Sequence, residues 1–320
     1  MAKSAKMMAE AKRAEGVGVL MITPLNKDYS LNEENLRKEV EWCIKNGAHG
    51  LWPLGYIGEW TVLEEETKRR VMEIVADQAK GRVYIAAGCH GINTLQIIRL
   101  VNYAQELGYD CGWISPTTPR PMTPDEIYGF YKMIHDKTTL PIGLYSTYAM
   151  GVYIRPSLMK KISELERMIV GKDAIGDYCH IAGIYHEGVH KNMTVLGVPN
   201  NMAPHMVYGG GGCTCAPQDL CLSLGVYNAI RAGDWDKAWK LQLTLTAEWP
   251  ILMAEALAGR VFGAKVTSSI QGFTKAKASL AMGIEMGPPM PPYLPATEAE
   301  IKFAKEQLGM YPKEYWPKSL

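Results

Sequence analysis

The sequence predicts a closed (β/α)8 TIM barrel with a helical extension at its C-terminal end. Short apolar segments alternate with amphipathic ones, which is the pattern of parallel strands covered on both faces by helices. Eight such units follow one another over residues 16–232, at a spacing of about 30 residues. Several amphipathic segments end in glycine, which favours the C-terminal end of a helix. A doubly wound open sheet is the alternative arrangement for the same alternation.

Each predicted strand is a short apolar run that ends at a polar or turn-forming residue. The first run stops at Pro24. The second contains Pro53, which weakens it because proline cannot donate a hydrogen bond to a neighbouring strand. The predicted strands are 16–23, 50–54, 83–87, 110–115, 140–145, 169–172, 193–197 and 212–216.

The predicted helices carry apolar residues at three- and four-residue spacing. In the first, Leu36, Val40 and Ile44 recur every four residues, and Asn32 is placed to cap the N-terminus. Thr123 is placed to cap the helix that begins with a proline at 124. The predicted barrel helices are 31–46, 64–80, 94–107, 124–136, 156–165, 178–187, 202–208 and 218–232.

Two further segments flank the predicted barrel of residues 16–232. Residues 1–15 are rich in alanine, lysine and methionine and lack the apolar centre of a signal peptide, so we expect an N-terminal extension that is a surface helix or a frayed terminus. Residues 233–320 form a predicted C-terminal helical extension. Its predicted helices are 234–258, 261–282 and 297–308.

Composition narrows the classes of partner and compartment. The chain has 320 residues, of which 47% are hydrophobic, and its formal net charge is +1. Such a balance, without a basic run, gives no reason to expect a nucleic-acid partner, and no apolar run is long enough to span a membrane. The seven cysteines are odd in number and scattered through apolar stretches, which predicts buried thiols in a reducing, cytoplasmic compartment. The Cys213-Thr-Cys215 pair lies on a predicted strand and is not assigned to a metal.

The C-terminal ends of the predicted strands are where a barrel places its chemistry. The sixth strand delivers Lys172 there, after the apolar run that ends in Gly171. A lysine is a nucleophile only when neutral, and burial or a nearby cation lowers its pKa. Tyr145 ends the adjacent fifth strand, from which its hydroxyl could pass a proton to or from a bound intermediate.

In this order, these landmarks resemble the dihydrodipicolinate synthase / N-acetylneuraminate lyase family, which consists of class I, Schiff-base-forming lyases and aldolases on a (β/α)8 barrel. The resemblance extends from about residue 17 to about residue 230. The matching pieces are Ile22-Thr-Pro24, Gly55-Tyr-Ile-Gly-Glu59, Leu144-Tyr145, Val170-Gly-Lys-Asp173 and Gly209-Gly-Gly-Gly212.

The resemblance implies a role for each matching residue. Lys172 would form the Schiff base with a pyruvate-type 2-oxo acid, and Tyr145 would transfer the proton. Gly55, Tyr56, Ile57, Gly58 and Glu59 would form the loop that holds the carboxylate of the 2-oxo acid. No cofactor and no metal are implied, the second small molecule would be an aldehyde, and the assembly would be a homo-oligomer, commonly a tetramer.

Three departures from the family pattern bear on the substrate. Tyr56 and Ile57 stand where the family loop carries small hydroxyl residues. Ser115-Pro-Thr-Thr118 replaces the second tyrosine of the synthases, and Tyr148-Ala-Met150 replaces their arginine. We therefore expect Thr118 and Tyr148 to contact the substrate in place of those residues.

The aromatic character of the predicted mouth favours one class of reaction. Its candidate lining side chains are Trp52, Trp60, Trp113, Tyr148 and Met150. Such a lining suits a less polar or aromatic partner better than a dianionic one. The resemblance thus predicts a lyase of the hydratase-aldolase type rather than a true dihydrodipicolinate synthase. A sugar-acid 2-keto-3-deoxy aldolase or dehydratase is the alternative, and the aldehyde and the net direction of the reaction stay open.

Two competing hypotheses come from other classes. His186-Glu-Gly-Val-His190 matches the H-E-x-x-H pattern of a zinc hydrolase, although Gly188 disfavours the helix that this pattern requires. A non-catalytic binding protein on the same barrel is the other hypothesis, given the altered loop. His90 follows the third predicted strand without a partner pattern and receives no role.

Overall fold

Eight parallel strands form the centre of the molecule. The computed structural model describes residues 3–116, 121–147, 153–246 and 269–318. Each strand pairs with the next in chain order, and the last pairs with the first, so the sheet is closed. The predicted barrel is confirmed and the open sheet is excluded. The strands are β1 (Gly16–Leu20), β2 (Gly50–Trp52), β3 (Tyr84–Gly88), β4 (Cys111–Ile114), β5 (Ile142–Ser146), β6 (Met168–Asp173), β7 (Thr194–Gly197) and β8 (Gly212–Cys215).

Helices cover the outside of this barrel. Asn32 and Thr123 cap their helices as predicted, and Thr123 forms a capping box with Glu126. The helices up to the end of the barrel are α1 (Ala5–Arg13), α2 (Glu33–Lys45), α3 (Glu65–Ala79), α4 (Thr94–Leu107), α5 (Pro124–Lys137), α6 (Pro156–Ser163), α7 (Tyr178–His186), α8 (Met202–Val207) and α9 (Leu220–Arg231).

The C-terminal extension is helical where it is described. Residues 235–246 belong to α10, and they are followed in the described part by α11 (Ile270–Met282) and α12 (Glu298–Gly309). The predicted helical residues 247–258 and 261–268 lie outside the described residues. Ser269 caps the N-terminus of α11 by accepting a hydrogen bond from the Gly272 amide. Within the described residues, no helix combines the length and the apolarity that crossing a membrane would need.

Strand β2 is shorter than predicted. It stops at Trp52 because Pro53 follows and because Leu54 has a φ of 59°, outside the extended region. Strand β8 begins at Gly212, after the predicted tight turn. Gly212 has a φ of 134°, and a Cβ there would lie 2.0 Å from the carbonyl oxygen of Gly16 on β1. Only glycine lets these two strands pair this closely.

Two apolar clusters form the core. The larger one lies between the strands and the surrounding helices. The smaller one combines strand side chains, among them Trp52, Trp113 and Tyr145, with two residues of α1 and with Ala14, which follows that helix. Lys172 belongs with this second group, because its Nζ atom lies against the rings of Trp113 and Tyr145. The Lys172 side chain therefore points into the barrel.

Helix α1 lies across the N-terminal ends of the strands. Arg13 pairs with Asp110, just before β4, at 2.6 Å, and the Thr194 hydroxyl at the start of β7 donates to the Ala11 carbonyl at 2.6 Å. Lys3 donates to the Met168 carbonyl at the start of β6. Residues 5–13 thus form a helix, the first of the two predicted alternatives, and this helix packs on the end of the barrel opposite the candidate site.

Candidate active site

Lys172 is the last residue but one of β6 and is almost completely buried, with 3% of its surface exposed. Its Nζ atom lies 4.6 Å from the ring centre of Tyr145 and 5.2 Å from that of Trp113. Burial lowers the pKa of Lys172 to about 7, while the neighbouring Cys213, Cys215 and Asp173 act weakly in the opposite direction. A large fraction of this amine is therefore neutral near pH 7.

Tyr145 stands directly beside Lys172. The two residues are partners in the parallel register of β5 and β6, which places both at the C-terminal end of the barrel. Burial raises the pKa of Tyr145 well above its usual range, while a hydrogen bond from Thr147 lowers it and the nearby Tyr56 raises it. Tyr145 is thus a protonated hydroxyl that can donate, next to the amine, and Tyr56 from the glycine loop approaches it.

The glycine loop follows β2 and forms a single 3-10 turn, Tyr56–Gly58. Within the described ranges, the backbone amides of Tyr56 and Ile57 have no acceptor. Gly58 fits closely against β1, since a Cβ would lie 3.0 Å from the Met21 carbonyl oxygen, and the Thr23 hydroxyl donates to the Gly58 carbonyl at 2.8 Å. Two free amides at the start of a turn form a suitable site for a carboxylate.

Glu59 differs from the other residues of this loop. Its carboxylate, which is fully buried, forms an ion pair with Lys275 of α11 at 2.8 Å and accepts a hydrogen bond from the Met290 amide at 3.0 Å. Its own amide donates to the Tyr56 carbonyl at 3.2 Å. The expectation that Glu59 contacts the substrate directly does not fit this position. Because Glu59 adopts a left-handed conformation, with a φ of 62°, its side chain points to the C-terminal extension.

A second buried carboxyl lies near this ion pair. Glu39 of α2 accepts a hydrogen bond from the Ile22 amide at 2.8 Å, and burial raises the pKa of Glu39 to about 8 despite that bond and the nearby Lys275. Glu39 is therefore mostly neutral at pH 7. Burial also raises the pKa of Glu59 and lowers that of Lys275, and their close contact opposes both shifts. Glu39, Glu59 and Lys275 thus connect the loops after β1 and β2 to α11.

Two of the predicted substrate contacts, Thr118 and Tyr148, lie outside the described residues. Ser115, which begins the segment that contains Thr118, is described and is buried. Its hydroxyl donates to the Tyr145 carbonyl at 3.3 Å. This bond holds the ends of β4 and β5 together.

The predicted aromatic residues separate into two places. Trp52 and Trp113 lie inside the barrel with their rings 4.8 Å apart, edge to face, and Trp113 lies 4.8 Å from Tyr145. Trp60 belongs to the larger apolar cluster, between the strands and the helices, and Lys68 of α3 lies 5.5 Å from its ring centre. Trp113 is therefore a wall beside the lysine, whereas Trp60 lies further out.

His90 is a residue that the sequence argument left without a role. It follows β3 by two residues and is completely buried. Its ring lies between Trp60, at 4.8 Å, and Trp113, at 6.1 Å. Neither ring nitrogen has a hydrogen-bond partner among the described residues. Its position just after a strand at the C-terminal end of the barrel is the signal that could have identified it.

Asp173 follows Lys172 and faces the opposite side of β6. Its carboxylate lies 3.2 Å from His180 of α7 and 3.3 Å from His205 of α8. Burial alone would raise the pKa of this carboxyl, but the two imidazoles outweigh burial and bring the pKa of Asp173 to about 2. Asp173 is thus an anion that links β6 to two helices and leaves the barrel interior to Lys172.

The H-E-x-x-H pattern does not form the helix that a zinc hydrolase requires. His186 is the last residue of α7 and is exposed, Gly188 adopts a left-handed φ of 72°, and His190 lies in the next 3-10 turn. The two histidines therefore do not share a helix face. Among the residues described, no group of three acidic, histidine or cysteine side chains is arranged to hold a metal ion.

Comparison with known sequences adds to this geometry. The sequence model of the Dihydrodipicolinate synthetase family matches residues 13–301. The chain is 30% identical over 296 residues to a protein of Pyrobaculum arsenaticum named "Uncharacterized DapA-like lyase", covering 91% of this chain and 96% of the relative. It is 29% identical over 309 residues to the 4-hydroxy-tetrahydrodipicolinate synthase of Methanopyrus kandleri, covering 93% and 98%.

Solved structures show the same fold. YagE from E. coli K12, a prophage protein of the dihydrodipicolinic acid synthase family crystallised with pyruvate, superposes with a TM-score of 0.82 at 23% identity, over 93% of this chain and 99% of YagE. The N-acetylneuraminate lyase of Mycoplasma synoviae gives a TM-score of 0.77 at 21% identity, over 92% and 97%.

Proposed function

Because the chain belongs to the dihydrodipicolinate synthetase family, whose members are Schiff-base-forming lyases that act on pyruvate, we propose that it cleaves or forms a carbon–carbon bond through a Schiff base between Lys172 and a pyruvate-type 2-oxo acid. The observation that carries this proposal is the burial of Lys172 against two aromatic rings, which lowers its pKa to about 7. A lysine in this state is a nucleophile without help from a cofactor.

The first step is imine formation. The neutral Nζ atom of Lys172 attacks the C2 carbonyl carbon, and the carbonyl oxygen takes up a proton to give a carbinolamine. Loss of water from this adduct gives a protonated imine. Of the two protons in the departing water, one comes from Nζ and the other from Tyr145, which is held protonated by its burial and lies beside the amine. Tyr145 is then a phenolate next to the protonated imine.

The second step uses the imine as an electron sink. In the cleavage direction, the hydroxyl at C4 loses its proton, the C3–C4 bond breaks, and its electron pair forms an enamine on C3 while an aldehyde departs. Protonation of C3 and hydrolysis then release pyruvate. Condensation is the reverse sequence. Tyr145 is the group that accepts and returns the C4 proton in this scheme.

The carboxylate of the 2-oxo acid binds to the glycine loop in this proposal. The free amides of Tyr56 and Ile57 support this assignment, since they need no side-chain hydroxyl to receive an anion. Tyr56 contributes its hydroxyl near Tyr145 instead. The loop thus keeps the anion site of the family while its side chains narrow the pocket.

The partner of pyruvate in this proposal is an uncharged, less polar or aromatic aldehyde, as in hydratase-aldolases. Trp113 and Tyr145 support it because they form apolar walls directly beside Lys172. A sugar-acid aldolase or dehydratase would need several hydroxyl-binding groups there, so we give it second place. The homo-oligomeric assembly, the reducing compartment and the lack of a cofactor stay predictions.

Borohydride trapping tests the proposed mechanism. We expect incubation with pyruvate and borohydride to add one reduced pyruvate adduct to Lys172, detected by peptide mass mapping, and we expect none in Lys172→Met. Lys3 is a matched control because burial lowers its pKa to about 8 at the opposite end of the barrel. Lys3→Met should trap as well as the wild-type chain. Absence of an adduct at Lys172, or an equal adduct at Lys3, would contradict the mechanism.

A further inference from the structure

His90 has a property that packing alone does not explain. A buried polar atom without a partner costs about 1–3 kcal/mol, and His90 has two such atoms among the described residues. The Trp60 ring is tilted by 32° against the imidazole and the Trp113 ring meets it edge to face, so neither contact pairs the ring nitrogens, which have no partner among the described residues. A buried group of this kind needs a ligand or a water molecule as its partner.

The position of His90 favours a ligand over a water molecule as this partner. The Trp113 ring that faces His90 at 6.1 Å also lies 5.2 Å from the Nζ atom of Lys172, so His90 and the lysine share one wall. The positive charge of Lys172 is also among the influences that disfavour the charged form of His90. Trp113 therefore lies close to both the imidazole and the lysine, so an adduct on Lys172 that extends along this ring approaches His90.

The charge state of His90 fixes the kind of atom that it can bind. Burial first, and then the charges of Lys68 and Lys172, lower the pKa of His90 to about 3, so the ring is neutral at pH 7. A neutral imidazole offers one donor and one acceptor. It therefore suits a hydroxyl or carbonyl oxygen better than a carboxylate, which would favour a charged partner.

We propose that His90 is a specificity-determining residue, which binds the oxygen at C4 of the adduct, the atom that becomes the aldehyde oxygen. One ring nitrogen of His90 hydrogen-bonds this oxygen, and Trp113 lies against the adjoining apolar part of the aldehyde. This inference rests on the proposed function, since it assumes a 2-oxo acid bound to Lys172. It adds the chemical class of the second substrate: an uncharged aldehyde recognised through its carbonyl oxygen.

Two probes that differ by one hydroxyl test the assignment. The first is 4-hydroxy-2-oxo-4-phenylbutanoate, whose cleavage is followed by release of benzaldehyde, and the second is 2-oxo-4-phenylbutanoate, measured as an inhibitor. His90→Phe keeps a stacked ring and removes both nitrogens. We expect His90→Phe to lower kcat/KM for cleavage about tenfold or more, because the variant can no longer hydrogen-bond the C4 hydroxyl of the substrate. Inhibition by the deoxy acid and pyruvate trapping at Lys172 should change less than about twofold.

Two further measurements distinguish substrate binding by His90 from a role in packing: the activity of amide variants and the thermal stability of His90→Phe. His90→Asn and His90→Gln, which each offer an amide near one of the lost nitrogens, should regain part of the cleavage activity. His90→Phe should unfold at the same temperature as the wild-type chain or higher, because two unpaired buried nitrogens are removed.

Each outcome bears on one hypothesis. A wild-type chain that does not trap pyruvate overturns the proposed function. A chain that traps pyruvate overturns the role of His90 if it does not cleave the hydroxy acid, or if His90→Phe cleaves it normally. An equal loss of pyruvate trapping and cleavage in His90→Phe shows a structural role and overturns the assignment as well.

Discussion

Lys172 illustrates one of two ways in which a protein makes an amine nucleophilic. A neighbouring cation lowers the pKa of a lysine by repulsion, whereas an apolar environment lowers it by withholding water. Burial is the largest influence on Lys172, and the charges that act on it oppose the shift. The aromatic walls beside Lys172 thus keep the amine neutral, and the proposed function gives them a second role, the selection of a less polar partner.

The pKa of Lys172 predicts a pH dependence for imine formation. Below pH 7 the amine is protonated, so the rate with pyruvate should fall about tenfold for each further pH unit. Above pH 7 the rate should reach a plateau, because the amine is already neutral. The measurement is the initial rate of borohydride-trapped adduct between pH 5 and 9, with adduct mapped to Lys172. A rate that climbs steadily through pH 9 would show an ordinary, solvated lysine instead.

The positions of Lys172 and Tyr145 could be derived from the sequence, because adjacent parallel strands bring their C-terminal ends together. Their catalytic roles stay predictions. Glu59 could not be placed, because its left-handed backbone and its partner on α11 depend on contacts between distant parts of the chain. His90 was passed over because a single histidine carries no spacing pattern, and its unpaired nitrogens are visible only once its neighbours are known.

The glycine loop and α11 behave as one structural unit. Lys275 binds the Glu59 carboxylate and the Pro288 carbonyl, at 2.8 and 2.7 Å, while Met290 binds the other Glu59 oxygen. The amides of Tyr56 and Ile57 lie in the turn that Glu59 ends. The described part of the C-terminal extension thus supports the glycine loop.

Breaking this ion pair should affect both stability and pyruvate binding. Lys275→Met leaves the buried Glu59 carboxyl without its cation, which should cost about 3 kcal/mol and raise the KM for pyruvate, since the loop amides shift. The double variant Glu59→Gln/Lys275→Met should recover part of the lost stability, because no charge stays unpaired. Urea unfolding and initial rates measure these effects.

Lys302→Met, at an exposed position of α12, is the matched control for that experiment and should change neither quantity. An unaltered urea midpoint in Lys275→Met would contradict a structural role for the pair.

The order and type of the elements could be predicted, since eight alternating units specify a barrel, but several boundaries could not. The 178–187 helix ends one residue early, at His186, because Gly188 turns the chain in a left-handed conformation. The 50–54 strand ends at Trp52 because of Pro53 and Leu54. These differences arise from local backbone conformations that apolar periodicity does not record.

The two ends of the barrel differ in what covers them. At the N-terminal end, Met7 and Ala11 of α1, with Ala14 just after it, belong to the cluster that contains Trp52 and Trp113. At the other end lie Lys172 and the loops. The division into an N-terminal extension, a barrel and a C-terminal extension stays a prediction, although α1 shares a core with the strands.

A charge placed between α1 and the barrel should unfold the molecule more easily. Ala11 is 2% exposed, so Ala11→Asp buries a carboxylate without a partner and should cost about 3 kcal/mol or more. Ala9→Asp, an exposed position on the same helix, should cost less than about 1 kcal/mol. Thermal unfolding of both variants tests this, and equal melting temperatures would contradict a packed α1.

The tie between the glycine loop and α11 also bears on how the protein is synthesised. Glu59 leaves the ribosome long before its partners, since Met290 follows it by 231 positions. Until that segment emerges, a carboxylate destined for the interior has neither Lys275 nor the Met290 amide, so the loop lacks its final shape. All eight strands precede α11 in the chain. A nascent chain can therefore assemble its barrel and its lysine first, and the glycine loop acquires its final contacts only after Lys275 and Met290 have emerged.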